Sequence, residues 1–356
     1  MRRFNLVYYH YHIFLCMIIL VANRPVASLE IRKEWEGYHD DLVSALSFNA
    51  DQEMLASASW DGTIKIWNVS NGILKNSIKP VEGSAYINSF TFCCPDDRGV
   101  YGTNEGFLGL ISINDSSLLM RKGGFEDPRD FSLICSRKKI VVRESNGISI
   151  IDPSTLEVIR RPETRGDISA FAVSTDGKTL AFARFSGWMT ITSIATKDKC
   201  ETKVWTNSTV MSLEFAPDDC SLIGVTEGGS LFIVDLLSFH MTGKILPIIG
   251  DIVSIGALGD HMTGKILPIT GRVVNIGALG DKKTLMVVTS SRGFLRYQSR
   301  ISFYGMNQLR QALTEETLDG RITAVSLSPK RNLIATAIGG ILGNNNKIIL
   351  WRIQRE

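Results

Sequence analysis

Apolar residues in this chain come in short bursts, alternating or continuous over five to seven positions and broken by Gly, Asp and Asn. LVSALSF, MLASASW and TIKIWNV lead the pattern; ISAFAVS, TLAFARF and MTITSI follow later, then VMSLEFA, SLIGVTE and SLFIVDL. Alternation at a period of two predicts strands, and a continuous apolar run bounded by turn residues predicts a strand buried on both faces. Helical periodicity is confined to MNQLRQALTEE (Met306 to Glu316), where a short helical insertion is expected.

The strands recur in phase. An apolar residue closes the first strand of each unit just before a polar turn, at Phe48, Phe92, Leu133, Val173, Phe215, Ala278 and Leu327. Successive gaps are 44, 41, 40, 42, 63 and 49 residues, so the regular unit is about 42 residues long. Four short strands per unit of that length is the mark of a β-propeller blade, a twisted sheet that must stack on its neighbours to bury both faces. The predicted fold is all-β: a seven-bladed β-propeller over residues 29–356, ring closed by an N-terminal strand, LEIRKEW (Leu29 to Trp35), joining the last blade. That strand would supply the outer edge missing after KIILWRIQRE.

One gap exceeds the regular unit by 21 residues. HMTGKILPIIGDIVSIGALGD (240–260) is followed at once by HMTGKILPITGRVVNIGALGD (261–281), identical at 17 of 21 positions. Each copy reads as an outer strand plus an inner strand, half a blade. Copy one is therefore expected to supply the outer strand of the fifth blade and copy two the inner strand of the sixth. A surplus from about Asp251 to Thr270 should bulge from the connection between them.

The stretch from Tyr38 to Gly72, YHDDLVSALSFNADQEMLASASWDGTIKIWNVSNG, resembles a WD repeat. The resemblance puts His39 at the family's histidine, with Tyr38 where glycine is usual, and assigns Ser57 or Ser59, Asp61 and Trp67 to the remaining places of its structural hydrogen-bond tetrad. The chemistry suits the spacing: a buried imidazole needs an acceptor, which a turn aspartate supplies, while serine and indole N–H complete a satisfied network. The last blade keeps Trp351 but has GGILGNNN in place of the Asp-Gly turn, and the middle blades lack the tryptophan. ISIIDPSTLEVIR (Ile148 to Arg160) is similar to segments of lactonase-like propellers.

Composition narrows the function less than the fold. Net charge is +3 from 39 basic and 36 acidic residues, so no nucleic-acid partner is expected. The clusters Arg137-Lys138-Lys139 and Arg160-Arg161 read as solvated surface. Residues 1–28 open with Arg2 and Arg3 and carry an apolar run from Ile13 to Ala22, a signal-like or anchor leader too short for a spanning helix. A functional leader would make the protein secreted, periplasmic or membrane-anchored, and would be its only contact with a membrane; otherwise it is cytoplasmic. Apart from Cys16, five cysteines remain (Cys93, Cys94, Cys135, Cys200 and Cys220), none at metal-ligand spacing. Acceptor tripeptides at Asn68, Asn114 and Asn207 matter only in a secretory pathway.

No catalytic motif, metal site or cofactor fingerprint is present. Asp96-Asp97 and Asp218-Asp219 fall at inter-strand turns, where carboxylates serve turn geometry. The sequence therefore reads as a non-catalytic, WD-repeat-like scaffold that binds other proteins through a loop-lined face. Trp60 is the candidate anchor of that face, extended by Arg184, Trp188 and Arg292 at comparable turns. The alternative is a secreted or periplasmic lactonase-like propeller enzyme or ligand binder.

Overall fold

The computed structural model describes residues 29–355 with breaks, the longest at 195–201, 237–245, 248–253, 256–271, 306–312 and 340–345. The leader reading, and with it Cys16, lies outside the described residues. The molecule is an all-β propeller, and among the described residues its strands assort into seven sheets.

Strand β1 (Leu29–His39) comes first. The first sheet is β2 (Val43–Phe48), β3 (Met54–Ser59), β4 (Ile64–Asn68) and β5 (Leu74–Ile78), and the second β6 (Ile87–Cys93), β7 (Arg98–Thr103), β8 (Leu108–Ser112) and β9 (Leu118–Lys122). The third holds β10 (Asp130–Ile134), β11 (Lys139–Glu144), β12 (Gly147–Ile151) and β13 (Val158–Arg160); the fourth, β14 (Ile168–Val173), β15 (Thr179–Arg184), β16 (Trp188–Ser193) and β17 (Thr202–Trp205). The fifth contains β18 (Val210–Phe215), β19 (Ser221–Thr226) and β20 (Leu231–Asp235), after which come the two-residue strands β21 (Leu246–Pro247) and β22 (Ser254–Ile255). The sixth is β23 (Arg272–Ala278), β24 (Thr284–Arg292), β25 (Tyr297–Gly305) and β26 (Thr314–Asp319), and the seventh contains β27 (Arg321–Leu327), β28 (Leu333–Gly339) and β29 (Asn346–Arg355).

Burial grades outward within a sheet, as stacking of twisted sheets requires. β8 and β12 are buried at every position, because both of their faces meet a neighbouring sheet. The outer strand β9 is exposed at four of five positions. All seven landmark residues end the first strand of a sheet or stand one position before its end.

The expectation of seven like blades needs correction. Five sheets, the first four and the sixth, contain the full run of four consecutive antiparallel strands. The seventh has three of its own, and β1 pairs antiparallel with β29 from Leu29↔Arg355 to His39↔Asn346, with a shift between Lys33 and Trp35. The fifth also has three, and its fourth place is taken by β22, which runs parallel to β20. The duplicated segment is the reason. In copy one the stretch expected to be the outer strand of the fifth sheet contributes β21, which pairs in parallel with β17 of the fourth sheet instead. Its later half provides β22, so parts of the two halves lie on different sheets. In copy two, β23 is the first strand of the sixth sheet. The remainder of the surplus segment lies outside the described residues. The expected helix at Met306 to Glu316 is also corrected at its end: Thr314 to Glu316 pair with Ser302, Phe303 and Ile301 in β26 and β25, while 306–312 lie outside the described residues.

Neighbouring sheets share apolar cores. Ile64, Ile66 and Ile78 meet Phe90, Phe92 and Tyr101 between the first and second sheets. Val141, Ile148 and Ile150 meet Leu180 and Phe182 between the third and fourth, and Val43, Leu46 and Trp67 meet Ala335, Ile348 and Leu350 between the seventh and first. Polar ties cross the same seams. Asp219 accepts from the backbone N–H groups of Thr175 at 2.7 Å and Asp176 at 3.0 Å, so this carboxylate serves a turn between the fourth and fifth sheets. Gln52 likewise accepts from Lys330 N at 2.6 Å and donates to Asn332 Oδ1 at 3.3 Å. Both residues hold a left-handed backbone, φ 55° and 68°. Arg160 departs from the solvated-surface reading, donating to the carbonyls of Ser193 and Ile194 near the fourth sheet, while Arg161 stays exposed and donates to Ser149 Oγ at 3.0 Å.

Candidate interaction face and structural tetrad

The first sheet brings four of the sequence-predicted residues into one chain of hydrogen bonds. His39 ends β1, Ser57 lies in β3, Asp61 in the turn after it and Trp67 in β4. His39 Nδ1 stands 2.8 Å from Asp61 Oδ2, and Nε2 stands 2.8 Å from Ser57 Oγ. Trp67 Nε1 donates to the same Ser57 oxygen at 2.9 Å. With Nδ1 donating to the carboxylate, Nε2 accepts the Ser57 hydroxyl, which in turn accepts from the indole, so each polar group finds a partner. His39, Ser57 and Trp67 are buried, and Asp61 is half-buried at the turn.

Ser59 stands apart from this chain. Its hydroxyl donates to Asp41 O at 3.0 Å and accepts from Asp61 N at 3.1 Å, shaping the turn. Of the two serines left open by spacing alone, Ser57 meets the histidine. The Asp61 carboxylate also accepts from Thr63 N and Oγ1 and from Asp40 N. Burial acts to raise its pKa, but the hydrogen bonds from His39 and Thr63 outweigh that and hold it far below the usual carboxylate range.

The seventh sheet keeps half of the arrangement. Trp351 Nε1 donates to Thr336 Oγ1 at 2.9 Å, and both residues are buried. Strand β1 also touches the first sheet: Trp35 stacks on Trp67 with ring centroids 6.0 Å apart and donates to Val69 O at 2.9 Å. A Cβ at Gly37 would come within 2.7 Å of the Trp67 ring, so the absence of a side chain there lets the indole approach.

One turn repeats around the molecule. Gly62, Gly106 and Gly187 share φ values of 81°, 79° and 84°, and each donates its N–H to the residue three before it, Ser59, Thr103 or Arg184. In the first five sheets the residue after the second strand donates its N–H to a carbonyl ahead of the first strand: Trp60 to Leu42, Asn104 to Tyr86, Ser145 to Glu126, Phe185 to Asp167 and Glu227 to Thr209. This superposition shifts the sequence-based register by one. Phe185, not Arg184, occupies the place of Trp60, Arg184 the place of Ser59, and Trp188 the place of Thr63 and Phe107.

Trp60 is 43% exposed and leans on Tyr86 of the second sheet, ring centroids 4.9 Å apart, so it is open on one side and packed on the other. Phe185 is 59% exposed and Trp188 36%. Phe185 was missed because only the FSG spacing to Gly187, read against WDG, marks it. Arg184 is half-buried with its guanidinium over Phe182, 5.8 Å from the ring centroid. Arg292 closes β24 opposite Tyr297, and its side chain lies outside the described residues. Among the described residues no three of His, Cys, Asp and Glu gather as metal ligands.

The family model "WD domain, G-beta repeat" matches residues 30–68, which hold all four members of the tetrad. Periodic tryptophan protein 2 of Saccharomyces cerevisiae is 33% identical over 79 residues, 22% of this chain and 8% of its own length. Small ribosomal subunit protein RACK1 of Drosophila melanogaster is 29% identical over 166 residues, 42% of this chain and 50% of its own. WD repeat and HMG-box DNA-binding protein 1 of Mus musculus is 32% identical over 95 residues, 26% of this chain and 8% of its own. The match thus spans half of the fly protein and under a tenth of the other two. With the hydrogen-bonded residues inside the matched segment and a WD-repeat protein among its relatives, residues 30–68 are similar to a WD repeat, which supports a WD-repeat family for this chain.

Proposed function

We propose that this protein is a non-catalytic scaffold that docks other proteins on the face carrying its turns after each second strand. The observation that carries the reading is the placement of Trp60 and Phe185 at equivalent turns, both exposed, on sheets held rigid beneath them. Exposed aromatics on a rigid support are efficient interface anchors, because little side-chain entropy is lost on binding. In this reading the tetrad of His39, Ser57, Asp61 and Trp67 is structural and fixes the turn that presents Trp60.

The same reading includes a closed ring, with β1 as its clasp. It is supported by the pairing of β1 with β29, by the stacking of Trp35 on Trp67, and by the Gln52 contacts to Lys330 and Asn332. The first strands also follow one another in contact from β2 through β6, β10, β14, β18 and β23 to β27, which touches β2. DNA binding in the name of the mouse relative concerns a protein of which the match covers 8%.

Affinity purification from native cells tests the docking face, comparing the parent protein with a Trp60→Ala, Phe185→Ala variant. Partners retained by the parent and lost by the variant are expected. Recovery of the same partners by both would move the docking surface elsewhere.

A further inference from the structure

The seam between the third and fourth sheets ends, on the same face, in an unusual polar group. Arg184 shares its side of β15 with Leu180 and Phe182, and Arg143 shares its side of β11 with Val141; all three apolar residues belong to the seam's core. Two arginines from adjacent sheets therefore cap one apolar core. Between them β14 bulges, its register to β15 shifting between Ile168 and Ala170, so that Ser169 is the extra residue and Ile168 pairs with Arg184. Arg143 is engaged there, donating to Ser169 O at 3.1 Å. Arg184 Nε and Ser169 Oγ are buried with no hydrogen-bond partner. Arg184 forms no ion pair with any described residue.

Buried donors without acceptors are costly and uncommon, and a carboxylate is the acceptor that a guanidinium fork fits best. Phe185, adjacent in sequence, and Trp188, at the start of the next strand, offer exposed apolar area beside it. Exposed carboxylates stand on neighbouring turns of this face at Glu105, Asp167 and Glu227. They would repel a polyanion such as a nucleic acid, while a single carboxylate on an otherwise apolar segment matches one unpaired arginine between two aromatics.

We propose that this seam receives a glutamate or aspartate side chain from an acidic, otherwise apolar peptide segment of a partner protein. Arg184 holds the carboxylate, Arg143 and Ser169 position the bulge beneath it, and Phe185 and Trp188 contact the flanking apolar residues. The inference rests on the reading of this face as a docking surface.

The test is fluorescence anisotropy on the full chain with a short labelled peptide in which leucine alternates with serine, except for a glutamate at one position. Its glutamine counterpart and a labelled oligothymidylate are the comparison probes. Binding of the glutamate peptide should weaken with salt. It should fall about tenfold or more on changing glutamate to glutamine or Arg184→Ala, with Arg184→Lys between, as for a buried arginine anchor. Circular dichroism melting curves establish that each variant is folded. Phe185→Ser, at an exposed side chain, should also weaken the peptide and keeps the test decisive if Arg184→Ala does not fold. Equal binding of the glutamine peptide, unchanged binding in the variants, or tighter binding of the oligothymidylate would overturn the proposal. Partner loss in Trp60→Ala, Phe185→Ala together with peptide binding that ignores Arg184 would sink the seam and keep the wider face. Peptide binding that requires Arg184, with no partner lost in that double variant, would do the reverse.

Discussion

His39 and Asp61, 22 positions apart, meet at 2.8 Å where the end of β1 crosses the turn after β3. One of these strands is the outer edge of the seventh sheet and the other an inner strand of the first. The contact therefore does more than fasten a turn: it holds two sheets in place and orients the loop from which Trp60 projects. Ser57 links it to Trp67, and Trp67 to Trp35 on β1, so the polar chain and the aromatic stack join the same pair of sheets.

Ser57 is the shared atom of this chain and its removal should be the most disruptive of the small changes. Ser57→Ala leaves the His39 Nε2 and the Trp67 indole N–H buried without a partner, at about 1–3 kcal/mol for each group. Urea unfolding should therefore show a loss of about 2–4 kcal/mol, on the same scale for unsatisfied buried groups. Ser59→Ala, which alters only turn contacts, should cost clearly less. Equal losses would mean that Ser59 carries the network.

Asp61 should make stability sensitive to acid. Burial would raise its pKa, but His39 and Thr63 lower it well beyond that effect, so the folded value lies below the unfolded one. A depressed carboxylate contributes fully above the unfolded value, about 3.9, and the contribution is lost as pH falls below it toward the folded value. The urea midpoint of the parent should thus drop more steeply than that of Asp61→Asn between about pH 5 and pH 3. Parallel curves would show that the acid sensitivity arises elsewhere.

The period of about 42 residues is readable because each first strand ends in an apolar residue before a polar turn, and those seven residues stand at or one position before such ends in the structure. What the pattern could not carry was the fate of two similar copies. A strand propensity such as that of KILPI states nothing of its partner, and the segment's β21 pairs with β17 while β22 takes the edge beside β20. Pairing is decided by tertiary context. The register slip from Phe185 to Arg184 has a similar origin. The positive φ at Gly187 sets which residue turns outward, and only alignment on that glycine, in place of the strand ends, puts Phe185 level with Trp60. Orphan atoms at the Ser169 bulge have no sequence signal, since a bulge is a property of two strands together.

Trp351 tests how much of the tetrad is worth keeping. Its indole bonds to Thr336, a neutral pair between two strands of one sheet. Trp351→Phe should cost about 1 kcal/mol, the usual net value of a single neutral hydrogen bond, with the ring's burial retained. Trp67→Phe removes a bond from a linked chain and should cost more, which parallel urea titrations would measure. The opposite order would make the seventh sheet the principal lock.

Strand β1 offers the sharpest test of the closed ring. Removing residues 1–28 stops short of Leu29 and should leave the urea midpoint near that of the parent. Removing 1–39 takes away the whole pairing with β29, the Trp35 stack on Trp67 and the His39 contact to Asp61. It also bares β29 as an unpaired edge, a template for association between chains. The longer truncation should therefore lose more stability than His39→Ala alone and should elute as larger species in size-exclusion chromatography. A longer truncation that stays monomeric, with the stability of His39→Ala, would show that the seven sheets hold their ring without the clasp.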